Sequence, residues 1–359
     1  MSLKPNSFVP DAASIRQSLA GLGAPDVVML LRQCLELRSH DHALAIAEAL
    51  PDELRSEPSI LLCEAVARFI AGQHDRALLA IEAVLGSAPE HLIAREIRGE
   101  MRLRAGQREP ALADLSWVAE RYPDYPGLQG LLSVLLMPGS HYREVLGALH
   151  QRLAPQRYFE IGVETGATLS LATSAKVAIG VDPADFPLDH PLPPGARVVH
   201  LTSDDFFARH TRAELFGSAP VDLAFIDGMH LFEYALRDFI NTEAWCAPSS
   251  TIVLHDCLPI LGVAAERERR TRFWVGDTWK LVLALAQFRP DLRIRTILTP
   301  PSGLVVVRGL DPGSGVLRER LPEILERLGE LRYERAPGDW PREFHVVPNS
   351  AAGLAEALA

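Results

Sequence analysis

The chain has 359 residues, 48% of them hydrophobic, and a formal net charge of −10. That length exceeds one ordinary core and suits two domains. The acidic balance argues against a nucleic-acid partner, and the densest basic run, ERERRTR (266–272), carries interleaved acids as a solvated helix face does.

The opening residues MSLKPNSFVP lack an apolar core of signal-peptide length. No window approaches the ~18 apolar residues of a membrane helix. Cys34, Cys63, Cys246 and Cys257 lie far apart, without zinc-ligand or CxxC spacing. The expectation is a cytoplasmic protein with reduced, packed cysteines and no membrane or nucleic-acid partner.

Residues 1–139 read as amphipathic helices. AGQHDRALLAIEAVLGSAPE (71–90) aligns with AGQREPALADLSWVAERYPD (105–124), pairing Gly72 with Gly106, Ala77 with Ala111 and Pro89 with Pro123. A weaker copy, SHDHALAIAEALPDE (39–53), keeps Asp41 and Ala43 in register. Small Ala residues permit close helix approach, Gly loosens the turn, and Pro ends the second helix. The period resembles the tetratricopeptide repeat, with two clear copies and a degenerate third over roughly residues 25–130. An irregular helical bundle is the plainer alternative. Stacked copies of such a repeat imply a concave surface for a protein partner. SHYREVLGALHQRLAP (140–155) predicts one further helix.

Residues 140–312 form the next expected domain. Strand-like runs occur at 157–163, 176–182, 196–203, 221–227 and 250–256, separated by helical or loop patterns. Near-continuous apolar strands alternating with helices predict a parallel sheet covered on both faces. LRIRTILT (292–299) and GLVVVRG (303–309) predict a closing hairpin. An α/β sheet of five parallel strands plus an antiparallel hairpin resembles the Rossmann-like class I S-adenosylmethionine-dependent methyltransferase fold.

In such sheets ligands sit at the carboxyl ends of the strands. The first strand ends FEIGVETGATLSLA, where Gly162 and Gly166 allow a sharp turn and a close ligand approach. Glu164 and Ala167 stand where a nicotinamide fingerprint needs glycine. The methyl donor carries a sulfonium and an ammonium, so acids such as Glu160 and Glu164 are welcome beside it. Asp182 ends the second strand and suits the ribose hydroxyls. Ser203 and Asp204, after the third, suit the adenine.

The fourth and fifth strands end in FIDGMH and TIVLHD, which would place Asp227, His230, His255 and Asp256 around one cleft. FIDGMHLFEYALRDF followed by TIVLHD is similar to a bacterial methyltransferase family related to macrolide sugar O-methyltransferases and cephalosporin hydroxylase-like proteins. The resemblance implies a divalent metal, usually magnesium, on Asp227, His255 and Asp256. His255 departs from the carboxylate those relatives carry, so either a softer ion binds, or His255 stands behind the ligands, or the metal has been lost. Asp227 and His230 are the expected catalytic pair, His230 taking the proton of the attacking hydroxyl. Plainer readings exist for each: Asp227 and Asp256 as turn caps, His230 as a solvated loop residue, His255 as a packed histidine. Asp238 could belong to the site, but reads more readily as a helix-surface acid. The GDTWK stretch (276–280) also resembles that family. Trp274 and Trp279 are candidates to stack on a sugar, with core packing expected of at least one.

Residues 313–359 read as a helical extension, serving either a homo-oligomer contact or an arm over the catalytic domain. The expected function is methyl transfer from S-adenosylmethionine to a hydroxyl of a sugar, another hydroxylated natural product or a polysaccharide precursor. The alternative is an interaction scaffold whose methyltransferase-like domain is structural.

Overall fold

The computed structural model describes residues 11–359, so the opening segment MSLKPNSFVP lies outside the described residues. The chain divides between Tyr122 and Pro123 into two compact units.

The first unit is all-helical. After α1 (Ala12–Leu19) come α2 (Ala24–Glu36), α3 (His40–Ala49), the short α4 (Asp52–Arg55), α5 (Pro58–Ile70), α6 (His74–Ser87), α7 (Leu92–Arg104) and α8 (Arg108–Arg121). The pairs α2/α3, α5/α6 and α7/α8 begin at Ala24, Pro58 and Leu92, and their second helices at His40, His74 and Arg108. Each copy therefore starts 34 residues after the last. The turn inside each pair is built the same way. Arg38, Gly72 and Gly106 adopt φ of 56, 77 and 76°. The next amide, of Ser39, Gln73 and Gln107, donates to the carbonyl of Cys34, Arg68 and Arg102 at 2.7, 2.8 and 2.8 Å. Those bonds satisfy carbonyls that a helix end leaves open. The first copy is the irregular one because Pro51 separates α3 from α4 where the other copies run on unbroken.

Packing follows the same register. Ala43, Ala77 and Ala111 are fully buried. Leu31, Ala65 and Gly99 hold one equivalent position on the first helices; Ala47, Ile81 and Leu115 hold one on the second. As the first shrinks, the second grows. In the third copy the limit is reached, because a Cβ on Gly99 would lie 2.8 Å from the Leu115 side chain.

The second unit opens with α9 (Leu128–Leu136) and α10 (Tyr142–Leu153). There follow β1 (Arg157–Ile161), β2 (Val177–Val181), β3 (Ala196–Val199), α11 (Ser203–Arg209), α12 (Arg212–Phe216), β4 (Val221–Ile226), α13 (Phe232–Glu243) and β5 (Cys246–His255). The chain continues through α14 (Trp279–Phe288), β6 (Arg293–Ile297), β7 (Leu304–Arg308), α15 (Val316–Glu319), α16 (Leu321–Leu328), β8 (Val346–Val347) and α17 (Ala351–Leu358). One sheet runs β3-β2-β1-β4-β5-β7-β6-β8. The first five strands are parallel, and β7 is antiparallel to both β5 and β6. This is the expected α/β sheet with its antiparallel hairpin, preceded by helices.

The chain leaves β1 toward β2 and β3, then returns to pair β4 on the other side of β1. That reversal opens a crevice over the carboxyl ends of β1 and β4. The tail adds β8 to the sheet edge alongside β6, and α17 packs there too. The basic run 266–272 is not a helix face: it is an exposed loop after a 3₁₀ turn (Gly262–Ala265), with Arg267 paired to Glu233. Its sequence lacks the apolar period that would seat a helix against the sheet. Among the described residues all four cysteines are free, and no helix is long and apolar enough to cross a membrane.

Candidate active site

A cavity of about 570 Å³ occupies the crevice over β1 and β4. Its floor depends on Gly162. This residue has φ of 86°, and a Cβ there would lie 1.9 Å from the Asp227 carbonyl oxygen. No side chain fits between the two strand ends. The Gly162 amide donates to Val181 O at 2.9 Å, and Asp227 N donates to Ile161 O at 2.8 Å, so three strand ends are tied at one point.

On the β2 side, Asp182 organises the loop after β1. Its Oδ2 accepts from the amides of Val163 and Glu164, and its Oδ1 from Ala184, each at 2.9 Å. Glu164 lines the cavity with φ of 48°, a left-handed conformation unusual for a residue with a side chain. Ser203 and Asp204 line the cavity from the first turn of α11, and Asp204 is held by Arg237 Nε and Nη2 at 3.0 and 2.6 Å. That pairing keeps the Asp204 carboxyl below its ordinary range.

Two expected donor residues stand elsewhere. Glu160 is fully buried behind the wall, accepting from Tyr158 Oη at 2.5 Å and Thr168 Oγ1 at 2.8 Å. Burial pushes its carboxyl up to about 8, so it is a neutral acid at physiological pH. Only Thr168 of that trio lines the cavity. Gly166, with φ of 83°, faces Leu188 and Leu192 in the loop after β2.

On the β4/β5 side the four expected residues do meet. His230 Nε2 lies 3.1 Å from Asp256 Oδ2 and 3.5 Å from Asp227 Oδ1. His255 Nδ1 lies 3.2 Å from Asp227 Oδ2, as a charge contact and not an aligned hydrogen bond. Burial alone would lower the His230 pKa; Asp256 and Asp227 outweigh it and raise His230 to about 9. His255 is raised by the same two carboxylates against burial. Burial alone would raise Asp227; His255 and His230 hold it below the ordinary carboxylate range. The donor atoms of Asp227, His230 and Asp256 fall within 4.8 Å of one another. In this geometry His230 completes the convergent set with the two aspartates, and His255 supports it from beneath.

The supports came from distant sequence. Ser302, in the turn between β6 and β7, donates to Asp256 Oδ1 and lies 3.3 Å from His255 Nε2. Thr278 Oγ1 donates to Asp256 O at 2.6 Å. Asp256 itself has φ of 55°, a strained value held by these contacts. Tyr142, at the start of α10, sets its ring 4.1 Å from that of His255. Neither tryptophan lines the cavity: Trp274 packs on His230 at 5.4 Å, and the buried Trp279 packs edge-on against Tyr333. Asp238 is no surface acid. It is 2% exposed on the sheet side of α13, among Ala235, Leu236 and Phe239, and burial pushes it up to about 7.

Residues 159–257 match the family model of a methyltransferase domain. The chain has no match among curated proteins. Among solved structures it is similar to the MamA RS-1 ArsTM double mutant, at 22% identity and a TM-score of 0.28 over 35% of this chain. It spans only 65% of that chain's length, just under two thirds. The cofactor-bound protein Rv0187 from MTB matches at 16% identity and a TM-score of 0.37, over 53% of this chain and 93% of the other. An O-methyltransferase from Bacillus cereus in complex with SAH matches at 13% identity and 0.34, over 55% and 89%. The family match covers β1 through β5 and the strand ends around the cavity. Within the α/β unit, residues 159–257 are therefore similar to a methyltransferase domain.

Proposed function

We propose that this domain methylates a hydroxyl of a sugar, another hydroxylated natural product or a polysaccharide precursor. One observation carries the reading: Asp227, His230 and Asp256 converge in the same cavity as Gly162, Asp182 and Ser203. A proton-handling cluster and a donor-binding strand end thereby face one space.

The residues also fit a divalent cation. Two carboxylates and an imidazole within 4.8 Å of one another form a mixed oxygen–nitrogen set, better suited to manganese, iron or zinc than to magnesium. A cation held there would supply Lewis-acid activation of the acceptor hydroxyl. The chain's own residues do the rest. Gly162 lets the donor approach the backbone, and Asp182 fixes the loop that receives it. The acceptor oxygen attacks the sulfonium methyl, an O–C bond forms, the C–S bond breaks, and S-adenosylhomocysteine leaves. The hydroxyl proton passes to His230 Nε2, between Asp227 and Asp256, when that nitrogen is free to take it. With His230 raised to about 9, the bare cluster keeps its own proton at neutral pH. Methyl transfer by chelated protein is therefore expected to rise with pH toward about 9.

Calorimetry with S-adenosylmethionine tests the donor site, and a folded protein that fails to bind it would sink this function. Activity unchanged by exhaustive chelation would remove the cation from the reading. For the helical unit we propose tetratricopeptide-like repeats that dock a protein partner. The support is the common 34-residue register and the repeated left-handed turn.

A further inference from the structure

The cavity is lined by five carboxylates, Glu164, Asp182, Asp204, Asp227 and Asp256, and by a single guanidinium, that of Arg143. Most of the acids are engaged. Asp182 accepts three amides, Asp204 is held by Arg237, and Asp227 and Asp256 share the histidines. Arg143 is not matched in this way. Its Nε donates to Tyr142 Oη at 3.2 Å, and among the described residues it forms no ion pair with a carboxylate.

Its position is fixed by what precedes it. The Tyr142 amide donates to Pro300 O at 3.1 Å, and the Tyr142 ring lies 4.1 Å from that of His255. The first turn of α10 is therefore fastened over the end of β5. That is the acceptor side; Asp182 and Ser203 lie beyond β1 on the other.

We propose that Arg143 selects an anionic acceptor. A carboxylate or phosphate on the acceptor pairs with the guanidinium while its hydroxyl faces Asp227, His230 and Asp256. The histidines are already shared by Asp227 and Asp256, so the guanidinium is the cavity's open cation and sets the acceptor's orientation. A guanidinium suits this task because it stays charged and offers paired donors to two oxygens. The inference rests on the methyl-transfer reading of the same cavity. The donor's amino-acid end also carries a carboxylate, so the two sources must be separated.

The test uses the full chain saturated with S-adenosylhomocysteine and two matched probes, glucuronate and glucose, titrated by saturation-transfer NMR. Wild type is expected to bind glucuronate at least tenfold more tightly than glucose. Arg143→Gln should bring the two within twofold, and Arg143→Lys should restore part of the preference. Equal binding of the probes by wild type, no glucuronate binding, or an acid preference that survives Arg143→Gln overturns the proposal. S-adenosylhomocysteine affinity of each variant is measured alongside. A tenfold loss there, with glucuronate binding intact, assigns Arg143 to the donor's carboxylate and also overturns it. Wild type that fails to bind S-adenosylhomocysteine would instead sink the methyltransferase function, and this inference with it.

Discussion

Both units set buried acids against fixed cations, as Glu243 meets Arg289 in the α/β unit, but at the ends of β4 and β5 that unit sets two acids against histidines instead. In the helical unit, Asp114 is 1% exposed and accepts from Arg98 at 2.6 and 2.8 Å and Arg102 at 2.8 Å, with Arg95 at 3.7 Å. Glu64 is likewise held by Arg55 and Arg68. Arginine does not release its proton in a protein, so these pairs are fixed counter-charges. In the α/β unit, Asp227 and Asp256 face histidines, which do release theirs. A buried acid beside arginine is a structural pair; a buried acid beside histidine at a strand end can hold and hand over a proton.

Breaking each kind of feature separates the two. The largest effect is expected from Gly162→Ala, because its Cβ would sit 1.9 Å from a backbone oxygen. S-adenosylhomocysteine affinity should fall more than 100-fold by calorimetry, with a lower melting temperature. Gly72→Ala in the helical turn has the same kind of φ but open space around it. It should cost about 1 kcal/mol and leave donor binding intact.

Next come the acids. Asp256→Asn should abolish methyl transfer and the manganese-induced rise in melting temperature while leaving S-adenosylhomocysteine binding within a few fold. Asp114→Asn should do the reverse. Removing the one acid among three arginines should cost about 3 kcal/mol in the helical unit, read by urea unfolding, with no change in donor affinity. If both variants act alike, the distinction between the pairs is wrong.

The α/β unit also holds groups that make its stability depend on pH. Burial lowers His150 to about 4 from an ordinary 6.5. Between those values the unfolded chain binds a proton that the folded chain refuses, so stability falls as pH drops from about 6.5 to 4. Glu160 is the opposite case. The folded chain keeps a proton up to about 8 that the unfolded chain loses near 4.5. Stability therefore falls as pH rises across that window, by at most about 1.4 kcal/mol per unit. For these two groups the best range is about 4.5–6.5. Melting curves of Glu160→Gln should show a flatter alkaline limb than wild type; an unchanged limb would mean Glu160 is already ionised in the fold.

The sequence carried the elements with a strong apolar signal. Runs at 157–163 and 221–227 became β1 and β4, and their terminal Gly162 and Asp227 meet at the crevice. It carried the repeat because Gly72 and Gly106 mark the turns by residue type. What stayed hidden was contact between distant segments. Tyr142, Arg143 and Ser302 have no local pattern tying them to His255 and Asp256; only the closing of the sheet brings β5, the β6–β7 turn and α10 together. Asp238 misled for another reason. An acid on an amphipathic helix is normally outside, yet here Ala235, Leu236, Phe239 and Ile240 wrap the buried face around it. That pattern was readable as a side of the helix. Charge points Glu160 toward the ligand, but two residues before Gly162 its carboxyl turns beneath the crevice, to Tyr158 and Thr168.

The smallest expected effect lies in the first repeat. Arg38 occupies the left-handed turn position that its sister copies fill with Gly72 and Gly106. A left-handed arginine costs about 1–2 kcal/mol over glycine in the fold, while glycine returns part of that through the freer unfolded chain. Arg38→Gly should therefore stabilise the helical unit by about 0.5–1 kcal/mol, seen as a higher urea midpoint with unchanged slope. Donor affinity, set in the other unit, should not move. A lower midpoint would mean that the Arg38 side chain contributes more than its backbone costs, and that the first copy is maintained by that residue despite its broken second helix.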